Sequence, residues 1–272
     1  MIALATCRDF PELYDDDRPL LAALDGRAVP AVWDDPAVDW DAFELVVVRE
    51  TWDYTDRRDE FLAWCDRIGD RLRNSPEVMR WSTDKRYLAE LAGAGLPVVP
   101  TKVVAPGDGE PFAPPLVVKP AVGAGTRDAL RHDDPVGAAA HVERLHGAGH
   151  VALAQPYLRD VEDAGETALI YLAGVYSHAI RKGPLLAPDL ERDGSGLFVS
   201  EDITPREPSG AEREVGDRVM AWVRQRFGDL LYARIDLLPG DVPRILEVEL
   251  AEPSLFLAHA PGAAERMAAA LA

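Results

Sequence analysis

The sequence of 272 residues is poor in cysteine, with only Cys7 and Cys65, which lie far apart in the chain. Two isolated cysteines make no disulfide framework and no zinc motif, because both require several cysteines or histidines at short spacings. Long hydrophobic runs are also missing, so no stretch of about 20 apolar residues could span a bilayer. Arg8 and Asp9 interrupt the N-terminal segment, which therefore lacks the apolar centre of a signal peptide. We expect a cytoplasmic protein.

Basic side chains are also scarce. The sequence has 29 Lys and Arg against 47 Asp and Glu, a formal net charge of −18. A chain this acidic is a poor match for the phosphates of nucleic acids or for anionic membranes, so we expect neither as a partner. Only four of the basic residues are lysines: Lys85, Lys102, Lys119 and Lys182. A general preference for arginine explains why lysines are few, but not where these four lie.

Strand and helix patterns are mixed along the whole chain, which predicts an α/β or α+β fold. They divide the chain into three predicted lobes, residues 1–78, 79–155 and 156–272. Strands are expected at 2–5, 45–48, 98–104, 116–119, 150–155, 166–172, 175–182 and 197–201. Helices are expected at 20–24, 55–72, 85–91, 135–145, 210–227 and 262–271.

Two of these helices carry a predicted N-terminal cap. Thr83 or Asp84 is expected to cap the helix at 85–91, because their side chains can accept a bond from the first N–H groups. Ser209 and Glu212 form a capping-box pattern before the helix at 210–227, and Gly228 follows it. That helix therefore has clear signals at both ends.

The most informative pattern is a pair of acidic strands near the C-terminal end. Polar and apolar residues alternate in both, so Arg234 and Asp236 share one face of the first, and Glu247 and Glu249 share one face of the second. A turn at 239–241 brings the strands together. Adjacent like charges destabilise a sheet, so the cluster indicates a bound cation. Carboxylate oxygens without Cys or His favour Mg²⁺ or Mn²⁺ over zinc.

A second pattern joins a lysine to a loop of small residues. A buried strand ends at Lys119 and is followed by Gly123 and Gly125. The glycines let backbone N–H groups approach an anion closely, and Lys119 adds a point charge that suits phosphate. The loop is not a Walker motif, because no Gly-Lys-Ser/Thr follows. Taken alone, it could equally be a glycine hairpin between two strands.

A third pattern follows the strand that ends at Gln155. The chain continues through a proline to Tyr157 and Leu158, and the acids Glu162 and Glu166 come next. An extended, proline-containing segment exposes backbone groups that can bind the edge of an adenine, and an acid a few residues on can bind ribose hydroxyls. An ordinary linker between two lobes is the alternative.

Other polar residues carry weaker signals. Arg181 and Lys182 end a strand and alternate between its two faces, so each is either a solvated strand end or a functional group. Ser195 lies between two glycines and lacks the strand–turn–helix context of a hydrolase nucleophile. We interpret its segment as a loop that can close over a substrate.

Taken in order, these motifs resemble the ATP-grasp superfamily over about residues 82–272. The resemblance implies ATP clamped between the central and C-terminal lobes, next to a Rossmann-like N-terminal lobe. It implies phosphate contacts from Lys85, Lys119, Gly123 and Gly125, and adenine contacts from Gln155, Tyr157 and Leu158. It implies a ribose contact from Glu166 or else Glu162, metal ligands in Asp236, Glu247 and Glu249, and catalytic cations in Arg234, Lys182 and Arg181.

The N-terminal lobe narrows the resemblance. Segments 48–54, 61–64, 74–76 and 81–85, with 252–256 after the acidic strands, look like the ATP-grasp subgroup that includes the O-ureido-serine cyclo-ligase of cycloserine biosynthesis. Glutathione synthetase and the ribosomal-protein glutamate ligases are more distant. The resemblance implies a carboxylate–amine ligase that converts the carboxylate of an amino-acid-like substrate to an acyl phosphate and joins it to a nitrogen, with release of ADP and phosphate.

Substrate contacts are expected mainly from the N-terminal lobe. Arg49 could hold a substrate carboxylate in a bidentate pair, Trp52 and Asp53 lie beside it, and Ser195 belongs to the closing loop. Many ATP-grasp enzymes have Asn at the position of Glu249, so the number of bound metal ions, one or two, is left open. The sequence also leaves open whether the product is cyclic or linear and whether the protein forms a homodimer. Two other functions remain: an ATP-dependent phosphotransferase, or a non-catalytic acidic interaction module stabilised by a metal.

Overall fold

The computed structural model describes residues 1–108, 112–184, 186 and 202–271. In these residues the chain forms three β-sheets accompanied by helices, which confirms the predicted mixture. Ser195 and the strand expected at 197–201 lie outside the described residues. Within the described part, no helix combines the length and the apolar character needed to cross a membrane.

The N-terminal part forms a parallel sheet. Its elements are β1 (Ile2–Thr6), α1 (Arg18–Ala23), β2 (Ala28–Val32), β3 (Leu45–Glu50), α2 (Arg58–Ile68) and β4 (Leu72–Arg73). The strand order is β2-β1-β3-β4. All of β1 and nearly all of β3 are buried, as expected for central strands of a parallel sheet. The edge strand β2 is not predicted from the sequence, because its Val29 is exposed and Pro30 interrupts the pattern.

The helix expected at 55–72 is shorter in the structure. A 3-10 turn at Trp52–Asp56 precedes α2 and another at Gly69–Arg71 follows it. Gly69 adopts a φ of +61°, a left-handed conformation that ends helices. The predicted apolar stripe is confirmed, since all of its members are buried: Phe61, Cys65, Ile68 and Leu72.

The middle part forms an antiparallel sheet. Its elements are α3 (Pro76–Ser82), α4 (Tyr87–Gly93), β5 (Lys102–Val104), β6 (Leu116–Pro120), β7 (Leu130–His132), α5 (Pro135–Gly147) and β8 (Ala152–Pro156). The strand order is β5-β8-β6-β7. Helix α4 begins at Tyr87, two residues later than predicted, and Arg86 at its N-terminus makes no side-chain cap. Of the two predicted caps, Asp84 accepts a bond from the backbone N–H of Arg86 at 3.1 Å, whereas Thr83 donates its hydroxyl to the carbonyl of Met79.

The C-terminal part forms a larger antiparallel sheet. Its elements are α6 (Val161–Ala164), β9 (Glu166–Leu172), β10 (Val175–Lys182), β11 (Ile203–Pro205), α7 (Gly210–Phe227), β12 (Tyr232–Leu238), β13 (Arg244–Glu249) and α8 (Ala263–Ala269). The strand order is β11-β10-β9-β12-β13. The capping box of Ser209 and Glu212 is present at the start of α7. The predicted hairpin of acidic strands is also confirmed, as β12 and β13.

The first and last parts of the chain share a buried core. Leu4, Leu20 and Leu24 cluster with Met267 and Leu271 at the other end of the chain. Helix α8 therefore packs against α1, although 267 and 20 are far apart in sequence. The strands of each sheet lie within one predicted lobe, except that β8 extends one residue past residue 155, the predicted end of the second lobe. The lobe boundaries at 78 and 155 stay a prediction.

Two side chains join the first sheet to the C-terminal sheet. The amide of Asn74 donates to the carbonyls of Tyr232 and Leu250 and accepts from the N–H of Leu231. The hydroxyl of Tyr232 lies 2.8 Å from the carbonyl oxygens of both Val48 and Ala251. Buried polar groups are costly unless paired, so these bonds fix the relative position of the two sheets.

Glu50 and Asp17 form a buried pair of carboxyl groups beside Arg49. Glu50 is 1% exposed and Asp17 is 2% exposed. Burial, followed by the charge of Asp17, raises the pKa of Glu50 from 4.5 to about 8, so the folded protein keeps a proton there at neutral pH. The unfolded chain releases that proton near pH 4.5. The contribution of Glu50 to stability is therefore present below pH 4.5 and is lost as pH rises through about 8.

Replacement of Glu50 by Gln should weaken this pH dependence. A glutamine resembles the protonated acid, since it can accept the 2.7 Å bond from the Tyr14 N–H and donate to Asp17. As pH rises from about 5 to about 9, we expect Glu50→Gln to gain about 4 kcal/mol of unfolding free energy relative to the wild type. Denaturant titrations across this range measure the difference. The exposed Glu12→Gln serves as the control, and parallel pH profiles for Glu50→Gln and the wild type would contradict the assignment.

Candidate active site

A cavity of about 740 Å³ opens between the three sheets. This volume is in the range of sites for small molecules. Most of the residues that the sequence predicts for a nucleotide, a metal or a substrate line it: Trp52, Lys85, Lys119, Gly123, Gly125, Gln155, Tyr157, Leu158, Glu166, Lys182, Arg234, Asp236, Glu247 and Glu249.

The acidic strands β12 and β13 supply one wall of the cavity. Asp236 lies opposite Glu247 in the register, and Arg234 lies opposite Glu249. Arg234 donates to Asp236 with an Nε–Oδ1 distance of 2.9 Å and also bonds Glu249. The predicted convergence of three carboxylates and a guanidinium on one face is confirmed.

Three lysines approach these carboxylates from other strands and helices. Lys119 Nζ lies 2.8 Å from Glu247 Oε1, and Lys85 Nζ lies 3.7 Å from Glu247 Oε2. Lys182 Nζ lies 2.7 Å from Asp236 Oδ2 and 3.2 Å from Glu166 Oε2. The central sheet and the C-terminal sheet thus meet through ion pairs at the cavity wall.

These ion pairs shift the pKa values of the three acids in different directions. Burial alone would raise the pKa of Glu247, but Lys119 and then Lys85 lower it to about 2. Arg234 and Lys182 likewise hold the pKa of the buried Asp236 below its ordinary value. The pKa of Glu249 is instead raised, because burial and the charges of Asp236 and Glu247 outweigh Arg234. Of the three acids, Glu249 is thus the one whose charged form is least stabilised by the neighbouring cations.

The donor chemistry of this wall fits a hard divalent cation. Asp236, Glu247 and Glu249 offer only carboxylate oxygens, which suit Mg²⁺, and an added cation would relieve the repulsion that raises the pKa of Glu249. Each of the three is bonded to Lys or Arg in the structure. Across residues 1–108, 112–184, 186 and 202–271, no three His, Cys, Asp or Glu side chains are grouped as a formed metal site. Their role as metal ligands thus stays a prediction.

The glycine loop between β6 and β7 closes one side of the cavity. Lys85 links to this loop, because its Nζ donates to the carbonyl of Gly123 and its N–H donates to the carbonyl of Ala121. Gly125 has a φ of +60°, a conformation that glycine adopts without strain. The loop therefore does connect two antiparallel strands, and it also borders the cavity beside two lysines.

The segment after β8 forms an apolar end of the cavity. Gln155 is held by a 2.8 Å bond from its Nε2 to the hydroxyl of Thr101, and the ring of Tyr157 lies 4.2 Å under the guanidinium of Arg131. Leu158 lines the cavity together with Val99 and Leu246. Apolar side chains around a few fixed polar groups are typical of sites for a planar ring.

Four predicted site residues do not line the cavity. Arg49 is 1% exposed and is occupied by Asp17 and by the carbonyl of Pro253. The prediction that Arg49 binds a substrate carboxylate is thus wrong, because its guanidinium is already engaged in a buried ion pair within the fold. The carboxylate of Asp53 accepts a hydrogen bond from the indole N–H of Trp33 at 2.8 Å. The prediction that Asp53 lies beside a substrate is therefore also wrong.

The other two lie behind the cavity wall. Strand alternation directs Arg181 away from Lys182, and it bonds the carbonyl of Ala164 and Asp202 instead. Glu162 pairs with Arg131 at 2.8 Å, which leaves Glu166 as the acid that borders the cavity. The catalytic role predicted for Arg181 and the second choice of Glu162 for ribose are therefore not supported. Ser195 is outside the described residues.

Glu252 was not predicted from the sequence as a site residue. This residue lines the cavity and is 8% exposed, and the hydroxyl of Tyr54 lies near its carboxylate. Burial and the nearby charge of Glu249 raise the pKa of Glu252 to about 7. Its distance of three residues from Glu249 breaks the period of two that marked the other acids, so strand alternation could not identify it.

Comparison with known proteins gives concordant matches. The family model for the N-terminal domain of D-cycloserine synthetase DcsG matches residues 2–74. The cycloserine biosynthesis protein DcsG of Streptomyces lavendulae is 39% identical over 94% of this chain and 93% of its own. The chain belongs to the DcsG family of ATP-grasp ligases.

Solved structures agree with this membership. The crystal structure of D-cycloserine synthetase DcsG shares 37% identity and a TM-score of 0.89, covering 99% of this chain and 98% of that one. D-alanine–D-alanine ligase from Bacillus anthracis complexed with ATP shares only the fold, with 13% identity, a TM-score of 0.65 and coverage of 100% and 99%. The DcsG-family chain is thus an ATP-dependent ligase that forms carbon–nitrogen bonds. The non-catalytic module and the phosphotransferase are both set aside.

Loss of Lys119 should weaken ATP binding to this DcsG-family chain. A hydrogen bond to a charged group contributes about 1.5–3 kcal/mol, so we expect Lys119→Met to raise the Kd for ATP by about 10- to 100-fold. Titration calorimetry measures Kd, and the ATP-induced shift in melting temperature relative to each unliganded variant gives a second readout.

Lys102→Met is the matched control for this experiment. Lys102 is an exposed lysine on β5 of the same sheet, and its loss should leave the Kd for ATP within about twofold. Equal ATP affinity in the two variants would show that Lys119 does not meet the phosphates.

Proposed function

We propose that the protein activates the carboxylate of an amino-acid-like substrate as an acyl phosphate and then joins that carbon to a nitrogen, within the same molecule. The observation that supports this most directly is the convergence of Lys85, Lys119, Lys182 and Arg234 on one wall of the cavity. Phosphoryl transfer needs positioning and neutralisation of charge more than covalent help from the protein, and this wall offers both.

In the first half-reaction, an oxygen of the substrate carboxylate attacks the γ-phosphorus of ATP, and ADP leaves. Lys119 and Lys85, which contact Glu247 in the structure, would release it and bind phosphate oxygens of ATP instead. Lys182 is held between Glu166 and Asp236, which keeps its ammonium at the same wall. Glu166 is the acid that we assign to the ribose hydroxyls, since it borders the cavity and Glu162 does not.

In the second half-reaction, a nitrogen lone pair attacks the acyl carbon, and the bond from that carbon to the phosphate oxygen breaks. Arg234 is suited to stabilise the oxyanion of the tetrahedral intermediate. Its guanidinium is fixed by Asp236, by Glu249 and by the carbonyl of Ser254, at 3.2 Å from Nη1 to the oxygen. A donor held in place before the reaction needs no reorganisation when charge develops.

A divalent cation is part of the proposal. Asp236, Glu247 and Glu249 would hold Mg²⁺, or Mn²⁺ in its place. When bound, the ion would neutralise charge on the phosphates. Formation of such a site requires that Lys119 and Lys182 exchange these carboxylates for phosphate oxygens.

Ring closure is the finer part of the proposal. Two similar proteins carry the names cycloserine biosynthesis protein and D-cycloserine synthetase. The DcsG-like resemblance extends through the N-terminal lobe, which also contributes to the cavity. Derivatives of serine with a ureido or hydroxyamino group are therefore the first substrates to test. A homodimer stays a prediction.

Hydroxylamine should trap the acyl phosphate. With ATP, Mg²⁺ and the correct substrate, we expect an acyl hydroxamate to form in step with ADP release, because hydroxylamine attacks the same carbon as the natural nitrogen. Arg234→Lys should lower the rate of product formation by about 10²–10³-fold, the usual effect of losing an oxyanion donor. Release of ADP without hydroxamate from any substrate in the screen would contradict an acyl-phosphate intermediate.

Removal of the divalent ion should abolish turnover. We expect no ADP release in EDTA and recovery with Mg²⁺ or Mn²⁺. Glu247→Gln should raise the Mg²⁺ concentration needed for half-maximal rate by about tenfold, since one ligand charge is lost. The exposed Glu12→Gln should leave that concentration unchanged. Equal Mg²⁺ dependence of Glu247→Gln and wild type would remove Glu247 from the ligand set.

A further inference from the structure

We propose that Asp16 of the first lobe is a positioning residue for Arg234. It holds the segment 252–256 in the conformation that fixes the Arg234 guanidinium at the cavity wall. The proposal rests on the proposed function, because it assigns an indirect role in the step in which Arg234 stabilises the oxyanion. Asp16 bonds the segment, and the segment bonds Arg234.

The segment 252–256 follows β13 and is neither helix nor strand. Side chains from other parts of the chain bond its backbone instead. The carbonyl of Glu252 accepts from the indole N–H of Trp52 at 3.3 Å, and the carbonyl of Pro253 accepts from Nη2 of the buried Arg49 at 2.8 Å. Buried backbone groups need such partners. The conformation of this segment is thus set by the elements around it.

Asp16 supplies the bonds at the bend of the segment. Its Oδ2 accepts from the backbone N–H of Leu255 at 2.9 Å and from that of Phe256 at 3.0 Å. Phe256 has a φ of +50° and a ψ of +41°, a left-handed conformation that is unfavourable for a residue with a Cβ. Such a conformation persists only where the surroundings impose it. Two consecutive N–H groups bonded to one oxygen do so here.

His178 of β10 holds the same bend from the other side. Its Nε2 lies 2.9 Å from the carbonyl oxygen of Leu255, and because a carbonyl only accepts, Nε2 carries the hydrogen. Nδ1 then accepts from the hydroxyl of Ser177 at 2.9 Å, and the oxygen of that hydroxyl accepts from Arg266. Leu255 is therefore held at its N–H by the first lobe and at its carbonyl by the C-terminal sheet.

The residues on either side of Leu255 contact Arg234. The carbonyl of Ser254 accepts from Arg234 Nη1 at 3.2 Å, and the ring of Phe256 lies with its centroid 5.7 Å from the guanidinium carbon. A change in the bend would move both groups away from Arg234. A shift of about 1 Å in a positioned group can cost about 10²-fold in rate. Asp16 can thus affect the reaction through backbone geometry alone.

A direct role for the charge of Asp16 is the alternative, because Asp16 also borders the cavity. The hydrogen bonds distinguish the two roles. Both N–H groups bond the same oxygen, Oδ2, so the amide oxygen of an asparagine can occupy that point and keep both bonds. Asparagine should therefore replace Asp16 as a positioning residue, but not as a negative charge.

Asp16→Ala and Asp16→Asn test this distinction, with O-ureido-serine and ATP as substrates. We expect Asp16→Ala to lower kcat for product formation by about 10- to 100-fold. The Kd for ATP should stay within about twofold of wild type and the KM for O-ureido-serine within about threefold. Asp16→Asn should recover kcat to within about threefold of wild type. The exposed Glu12→Gln, close by in the same lobe, is the control and should not change kcat.

A double-mutant cycle shows whether the effect passes through Arg234. In the Arg234→Lys background, Asp16→Ala should lower kcat by less than about twofold, since the guanidinium that it positions is already lost. Residues that act through one group give non-additive effects of this kind. A general weakening of the fold would lower kcat by the same factor in both backgrounds, and that result would overturn the proposal.

The single variants have three contrary outcomes. Equal losses of kcat in Asp16→Asn and Asp16→Ala would overturn the proposal in favour of a direct electrostatic role. A higher KM with unchanged kcat would assign Asp16 to substrate binding and would also overturn it, as would an unchanged kcat in Asp16→Ala. Absence of hydroxamate from the wild type is a separate result, because it contradicts the proposed function itself.

His178 provides a second pair of variants if Asp16→Ala fails to fold. His178→Leu removes the donor to the Leu255 carbonyl, whereas His178→Gln keeps an N–H group that can reach it. We expect a lower kcat for His178→Leu than for His178→Gln, with the same Kd for ATP in both. Equal kcat values in the two variants would show that the bend does not position Arg234.

Discussion

The structure depends on neutralisation of carboxylates that the fold takes out of water. Asp236, Glu247 and Glu249 lie on one face of a hairpin that the core buries on its other face, so period-two alternation forces them together. Isolated buried carboxylates are too costly to persist. Each therefore has a cation from another part of the chain, Lys119 and Lys85 from the central part, Lys182 from β10 and Arg234 from β12 itself. The same ion pairs hold in place the cations that we propose to bind ATP.

The proposed exchange of carboxylate partners for phosphate gives a reason for lysine at these positions in a chain that otherwise uses arginine. A compact ammonium on a flexible stem can move from a carboxylate to a phosphate, whereas a guanidinium fixed by several bonds is better at holding its place. Arg234 has several fixed partners and, in the proposed mechanism, lies next to the reacting carbon. Three of the four lysines border the cavity, and the fourth, Lys102, is exposed.

Much of this could be predicted from the sequence, for reasons that are local. Alternation on β12 and β13 fixed which side chains share a face, and the capping box fixed where α7 begins. The failures within the site are tertiary. Nothing in the sequence near Arg49 shows that Asp17 and the carbonyl of Pro253 occupy it, and nothing near Glu252 shows that Tyr54 lies beside it. Arg181 and Lys182 are neighbours, and only the sheet decides which of the two faces the cavity.

The packing of α8 on α1 has a consequence for how the protein is made. The core around Leu4, Leu20 and Leu24 lacks one wall until Met267 and Leu271 arrive. During synthesis the first lobe therefore keeps part of its apolar surface uncovered until α8 has been made. Contacts between residues so distant in sequence also form slowly. The first lobe thus completes its packing only when this C-terminal helix is available.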